Sequence, residues 1–279
     1  AVRRKTDVIL LLGVPGALAL PLIKKVTRAR VVTNIDGIEW RRAKWNWLAR
    51  AVLRLSERLA VRYSDAVIAD NQGIVDHVAA QYGIAAEAIP YGGDQALQAA
   101  PDTRALVSLP DRYALALCRV EPENNVAMIL QAWAEHPMPL PLVFVGNWDK
   151  TAFGRRMKVV YGRHPHIHMR DAIYDAEPLR AIRDRAALYI HGHGAGGTNP
   201  SLVEMMHFGI QVCAFDCCFN RHTTEDHALF FDTATSLVRL VQNLDRGCVA
   251  ETGPTLREIA KRRYTWEQVG KSYFDVLER

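Results

Sequence analysis

The chain has 279 residues, 49% of them hydrophobic and 23% charged, and its 35 Lys and Arg against 30 Asp and Glu leave a formal charge of +5. That is a soluble globular composition, long enough for one large domain or two of moderate size. It excludes a membrane-crossing helix, because no apolar run reaches the roughly 20 residues needed, and the run at 8–14 stops at Pro15-Gly16.

The opening Ala1-Val-Arg-Arg-Lys has too few apolar residues after it to be a signal peptide. Five cysteines without framework spacing predict free thiols in a reducing compartment, so the expected location is cytoplasmic. Cys213, Cys217 and Cys218 stand near His222 and His227, but Cys213 falls in an apolar strand pattern and buried cysteine is common. His164-Pro-His166-Ile-His168 would place alternate imidazoles on one strand face, yet no acidic cluster completes a site. No metal is expected.

Residues 7–98 alternate strands and helices. Strands are predicted at 7–12, 30–34, 66–69 and 86–90, with helices near 16–27, 41–63 and 72–82. Such alternation implies a parallel α/β sheet, whose ligands gather at the carboxyl ends of the strands. At those ends stand Asn34, Asp36 and Glu39, then Asp70 and Asn71, then Tyr91. Asp36 and Asn34 are the best placed to touch a hydroxyl; Asp70 and Asn71 could equally cap the following helix.

The 41–63 helix carries an apolar face of Trp45, Leu48, Val52, Leu55 and Leu59. Arg50, Arg54, Arg58 and Arg62 step by four along another face. From Arg41 to Arg62 seven basic residues, Lys44 included, meet the single acid Glu57. This helix suits either an anionic membrane surface or a packed core with a solvated arginine stripe. No base-stacking or groove-reading motif accompanies it, so nucleic acid is not expected as a partner.

Residues 95–111 are predicted as a linker. Beyond it, strands are expected at 113–117, 142–146, 166–169, 186–190 and 211–215, with helices at 126–135, 178–185, 234–243 and 264–279. Arg119 follows the first of these strands, where a guanidinium can grip a diphosphate.

After the 186–190 strand comes His191-Gly-His-Gly-Ala-Gly-Gly-Thr-Asn-Pro-Ser-Leu-Val-Glu-Met-Met206. Gly194, Gly196 and Gly197 let the backbone approach a ligand, and Asn199-Pro200 reads as a helix start with its N–H groups exposed. Glu204 follows one turn later, within reach of hydroxyls on whatever carries the phosphate. Phosphate with a diol suggests a nucleotide. The competing interpretation is a tight loop with a buried glutamate.

These segments resemble the retaining GT-B glycosyltransferases of family 4. Ile89-Pro-Tyr-Gly-Gly-Asp94 is similar to that family's interdomain turn, and Leu117-Cys-Arg119 to its Gly-Arg strand end. Asn34-Ile-Asp-Gly-Ile-Glu-Trp-Arg-Arg-Ala-Lys-Trp45, Arg119-Val-Glu-Pro-Glu-Asn-Asn125 and Gly196-Gly-Thr-Asn-Pro-Ser-Leu-Val-Glu204 resemble a bacterial rhamnosyltransferase-like subgroup, of the DUF1972 type. The resemblance implies two Rossmann-like domains facing a cleft. Residues 1–98 would form the acceptor-side domain, 99–262 the nucleotide-sugar domain, and 263–279 a helix packing back on the first. It also implies further strands ahead of residue 7, so the first domain is expected to lack its opening strands and the chain to be part of a longer one.

The implied activity is metal-independent, cofactor-free transfer of a sugar with retention, L-rhamnose from dTDP-rhamnose in the first instance. The acceptor would be a lipid-diphosphate-linked saccharide at the inner face of the cell membrane, in surface-polysaccharide synthesis. Asp36 and Arg119 would be catalytic. Arg119, Asn124, Gly196, Gly197, Thr198, Asn199 and Glu204 would bind the donor, and Asn34, Asp36, Glu39, Asp70, Asn71 and Tyr91 would face the acceptor.

Two departures stand out. Gly196 occupies the place of the family's first glutamate, eight positions before Glu204, and Asn124 that of its lysine, five after Arg119. Diphosphate charge would then fall to Arg119, the 197–199 amides and another base such as Arg170. The alternatives are a non-catalytic nucleotide-sugar-binding or scaffold protein, a UDP- or GDP-sugar-dependent transferase, and a sugar-nucleotide epimerase.

Overall fold

The computed structural model describes residues 6–42, 45–244 and 252–279. The 1–5 segment, Lys44 of the basic stripe and Cys248 lie outside the described residues.

In chain order the elements are β1 (Val8–Leu12), α1 (Leu20–Val26), β2 (Arg30–Ile35), α2 (Trp47–Tyr63), β3 (Ala66–Ala69), α3 (Gln72–Tyr82) and β4 (Glu87–Ala88). After two 3-10 turns follow β5 (Tyr113–Leu117), α4 (Val126–Glu135), β6 (Leu142–Gly146), α5 (Ala152–Tyr161), β7 (Ile167–Asp171) and α6 (Ala176–Arg185). The chain continues with β8 (Ala186–His191), α7 (Pro200–Met206), β9 (Gln211–Phe215), α8 (Cys218–Thr224), β10 (Leu229–Phe231), α9 (Ala234–Leu244), α10 (Gly253–Arg263) and α11 (Trp266–Glu278).

These elements divide into two units: Ala1–Tyr91 with Ala195–Thr198 and Glu267–Arg279, and Gly92–Gly194 with Asn199–Trp266. The first holds a parallel sheet in the order β1-β2-β3-β4. Val32, Ile68 and Ile89 are covered by Val269 and Val276 of α11, which form one apolar cluster with them. Asn71 caps α3 by accepting from the Gly73 N–H at 2.9 Å, and Gly83 ends that helix in the left-handed region. At the open edge of β1, Leu12 is 74% exposed.

The second unit holds a parallel sheet in the order β10-β9-β8-β5-β6-β7. One face packs on α4 and α9 through Ile129, Trp133, Leu237 and Val241, and the other on α7 and α10 through Leu202, Val203, Leu256 and Ile259. Because β6 and β7 run outward from β5 on one side and β8 returns on the other, the strand order reverses between β5 and β8.

Several boundaries differ from the sequence expectation. The 41–63 helix begins at Trp47, because Asn46 caps it through the Ala49 N–H, and Glu39–Arg41 forms a separate 3-10 turn. The 16–27 helix divides into a 3-10 turn at Pro15–Ala19 and α1, and the strand at 86–90 shrinks to β4. Elements α5, α8, β10 and α10 appear where none was predicted. Residues 95–111 are built into the second unit, with Leu106 and Leu109 packed against its core. Strand β7 starts at Ile167, so of the three histidines only His168 is in it. No helix among the described residues is long and apolar enough to cross a membrane.

Candidate functional site

In the first unit the carboxyl ends of β2 and β3 bring Asn34, Asp36, Asp70 and Asn71 together with the glycine-rich segment 195–198. Asn34 donates through Nδ2 to the Tyr273 hydroxyl of α11 at 2.6 Å. Asp36 lies against Gly13, whose positive φ turns the chain after β1. Burial pushes the Asp36 carboxyl up.

Asp70 is only 2% exposed, and its Oδ1 has no hydrogen-bond partner. Burial, reinforced by the negative charge of Asp36, pushes its carboxyl up to about 7, against the pull of the Thr198 amide. Gly197 is pressed against this carboxyl so closely that a Cβ there would overlap it, and Gly196 has φ +115. Thr198 donates its hydroxyl to the Asp70 carbonyl and accepts from Asn71 Nδ2 at 3.2 Å. Burial, followed by the charges of Asp70 and Asp36, raises the pKa of the Tyr91 hydroxyl.

Glu39 is engaged by Arg42 at 2.7 Å and by the Trp45 indole at 3.3 Å. Beside Asp36 and Glu39 opens a cavity of about 650 Å³, walled by Leu12, Trp45, Leu48, Val52 and Leu53. The loop that carries Asp36 and Glu39 is tied down by a residue that the sequence marked only as a lone acid. Glu57 is fully buried and accepts from Trp40 Nε1 at 3.0 Å and from the Tyr82 hydroxyl at 2.7 Å, with His77 Nε2 at 2.9 Å. Arg54 lies over the Trp40 ring at 4.2 Å.

In the second unit the loops after β5 and β8 flank the point where the strand order reverses, the place where parallel α/β sheets bind ligands. Arg119 and Asn124 come from the first loop, and Asn199 and Glu204 follow the second. Asn124, 2% exposed, donates through Nδ2 to the Arg119 carbonyl at 2.8 Å and faces His193 Nδ1 through Oδ1 at 2.6 Å. His193 was not among the predicted site residues. Behind it, His191 is buried, and that burial, with His193 nearby, holds its pKa well below the ordinary imidazole value.

Asn199 caps α7, accepting from the Ser201 N–H at 3.0 Å and the Ser201 hydroxyl at 2.7 Å. Glu204 is paired with Arg183 and accepts from Gln95 Nε2 at 2.8 Å, and Gln95 accepts from the Trp266 indole at 2.7 Å. Arg170 sits on β7, separated from β5 by β6, and bonds Ser108 at 2.8 Å, so it is no partner for Arg119. Among the described residues no group of three or more His, Cys, Asp or Glu could hold a metal ion.

Two units, each built on a parallel sheet with helices, the second with its strand order reversing between β5 and β8, are the parts of a GT-B architecture. A family model described as a domain of unknown function (DUF1972) matches residues 5–94. None of the curated proteins matches the sequence. Among solved structures, sucrose-phosphate synthase from Thermosynechococcus elongatus is similar at a TM-score of 0.79 and 17% identity, over 98% of this chain and 74% of that one. HepE of Anabaena, solved with UDP-glucose, is similar at 0.78 and 14%, over 96% of this chain and 78% of that one. The pneumococcal O-GlcNAc transferase GtfA, solved with UDP and GlcNAc, gives 0.66 and 11%, over 98% and 57%. At these identities the likeness is one of fold.

Proposed function

We propose that the protein is a glycosyltransferase that takes a sugar from a nucleotide-diphosphate donor. The observation that carries this reading is that Arg119 and Asn124 lie on the loop after β5, and Asn199 and Glu204 at the start of α7 after β8, on the two sides of the strand-order reversal of the second unit, in a GT-B fold. Arg119 would neutralise the departing diphosphate, and Glu204, held by Arg183 and Gln95, would accept from the ribose hydroxyls. The first unit would supply the acceptor side through Asn34, Asp36, Glu39, Asp70, Asn71 and Tyr91. Asp36, whose carboxyl burial pushes upward, is suited to orient or deprotonate the acceptor hydroxyl.

The finer form of the proposal is a dTDP-rhamnose donor, retention of configuration, no metal or cofactor, and a lipid-diphosphate-linked saccharide acceptor. The nucleotide ligands of HepE and GtfA favour UDP-sugars as the alternative donors. Trp47, 79% exposed, and Leu48 stand beside Arg50 and Arg54, which supports peripheral contact of α2 with an anionic membrane.

Release of nucleoside diphosphate from dTDP-rhamnose, UDP-glucose or GDP-mannose, with and without a lipid-diphosphate-linked saccharide, tests the reading. Acceptor-dependent release that Arg119→Ala abolishes is expected. Release without acceptor would point to an epimerase or hydrolase, and donor binding without any turnover to a non-catalytic binder.

A further inference from the structure

The arginines that step by four along α2 fall into two pairs. Arg50 donates through Nη2 to the Arg42 carbonyl at 3.5 Å, and Arg54 lies over the Trp40 ring at 4.2 Å. Arg58 and Arg62 have no hydrogen-bond or ion-pair partner among the described residues; the Arg62 guanidinium lies 5.9 Å from the ring centre of its neighbour Tyr63. Both are exposed, and both line a cavity of about 550 Å³ in the first unit, with Val61, Gln81, Tyr82 and Ile84. The cavity lies where the last turns of α2 and α3 come together.

No carboxylate lines it. Glu57, the acid nearest along α2, is fully buried and turned to Trp40, His77 and Tyr82. The Tyr82 hydroxyl is spent on that carboxylate at 2.7 Å, so its proton is not offered to a ligand. What remains is two guanidiniums, one amide and the apolar Val61 and Ile84. Side chains four apart on a helix are neighbours, so the two guanidiniums reach oxygens of one anion, and a guanidinium matches phosphate bidentately. A phosphate monoester, with up to two charges and three free oxygens, suits such a pair better than a diester with one charge and two.

The cavity is remote from the Asp36 loop. Because β2 and β3 are parallel, α2 runs from their carboxyl ends back to their amino ends. At 1.5 Å per residue, Arg58 and Arg62 stand roughly 16–22 Å along the helix from Trp47. Leu55, 50% exposed, is on the same helix face three residues before Arg58, which gives a lipid-borne phosphate an apolar neighbour.

We propose that this cavity is a phosphate-monoester site, with Arg58 and Arg62 clasping the phosphate oxygens and Gln81 donating to it. It is separate from the groups assigned to donor and acceptor, and it does not depend on the nucleotide-sugar reading. The phosphate belongs either to a lipid headgroup or to a small soluble ester.

Flotation with phosphatidic acid vesicles, against phosphatidylglycerol vesicles of matched zeta potential, tests this together with calorimetric titration of glycerol 3-phosphate. For a lipid source, phosphatidic acid vesicles should bind about tenfold more tightly than phosphatidylglycerol ones. Arg58→Gln with Arg62→Gln should remove that preference, whereas Arg239→Gln, at an exposed arginine of α9, should leave it. Saturable binding of glycerol 3-phosphate, lost in the same double variant, would uphold the site with a soluble ester as its ligand. Both substituted arginines are exposed, so the double variant should keep the wild-type melting temperature. Equal binding to the two vesicles with no binding of glycerol 3-phosphate would overturn the site and leave a general attraction of α2 to anionic surfaces standing. A phosphatidic acid preference that survives the double variant would overturn it as well.

Discussion

Asp70→Asn should make the first unit more stable at pH 8 and less sensitive to pH. The carboxyl, 2% exposed, is pushed up to about 7 from an ordinary value of 3.8. A carboxyl whose pKa is raised in the folded state binds a proton there that the unfolded chain has already lost. Its contribution is therefore present in full below about pH 4, falls as pH rises, and is gone once pH passes about 7. At about 1.4 kcal/mol per unit the full loss is about 4 kcal/mol, of which about 2–3 kcal/mol falls between pH 5 and pH 8. An amide at the same position carries no charge at any pH, so most of that slope should disappear. Urea unfolding followed by tryptophan fluorescence at pH 5 and pH 8 measures it, taking the transition reported by Trp40, Trp45 and Trp47 as that of the first unit. Stability of Asp70→Asn at pH 8 no greater than wild type, with the pH slope unchanged, would refute the assignment of a protonated buried carboxyl.

Three further outcomes follow from particular contacts. Glu57→Ala strips the shared acceptor from Trp40, His77 and Tyr82 and should cost about 3 kcal/mol or more by denaturant unfolding, with Glu57→Gln costing less; equal effects would show that the carboxylate is not the hub. Gly197→Ala places a methyl group on the Asp70 carboxyl and should lower the melting temperature, whereas Gly270→Ala, which meets open space in α11, should hold or raise it by up to about 1 kcal/mol of stability. Sedimentation with phosphatidylglycerol vesicles should exceed that with neutral ones, weaken with salt, and fall in Trp47→Ser; equal sedimentation with both would remove the membrane role of α2.

Much of the second sheet was legible because its strands are short apolar runs bounded by turn residues. Tyr113–Leu117, Leu142–Gly146 and Gln211–Phe215 form strands where the pattern places them, as Gln72–Tyr82 and Val126–Glu135 form helices. What escaped are elements with weak patterns of their own: α8 is short and largely polar, and α10 is rich in basic residues and is buried through Leu256, Ile259 and Ala260. Arg119 and Asn124 could be singled out because they follow a strand within one loop. His193 could not be linked to them, since its bond to Asn124 spans 69 residues and exists only because β5 and β8 are neighbours in the sheet. Glu57 illustrates the same limit: a lone acid on a basic helix reads as solvated until His77 and Tyr82 of α3 are seen to close over it. The glycine-rich segment was read as an open phosphate cradle, yet Gly197 and Thr198 are buried, because Asp70 occupies the space that the absent side chain leaves.

The central claim is that a nucleotide-sugar site lies at the strand-order reversal of the second unit. Amide hydrogen exchange, with and without a saturating nucleotide-sugar donor, tests it most directly. The account predicts slowed exchange concentrated in 119–125, 191–194 and 199–204, with β6 and β7 unchanged. Protection elsewhere in the chain, with these two segments unaffected by a donor that binds, would contradict it.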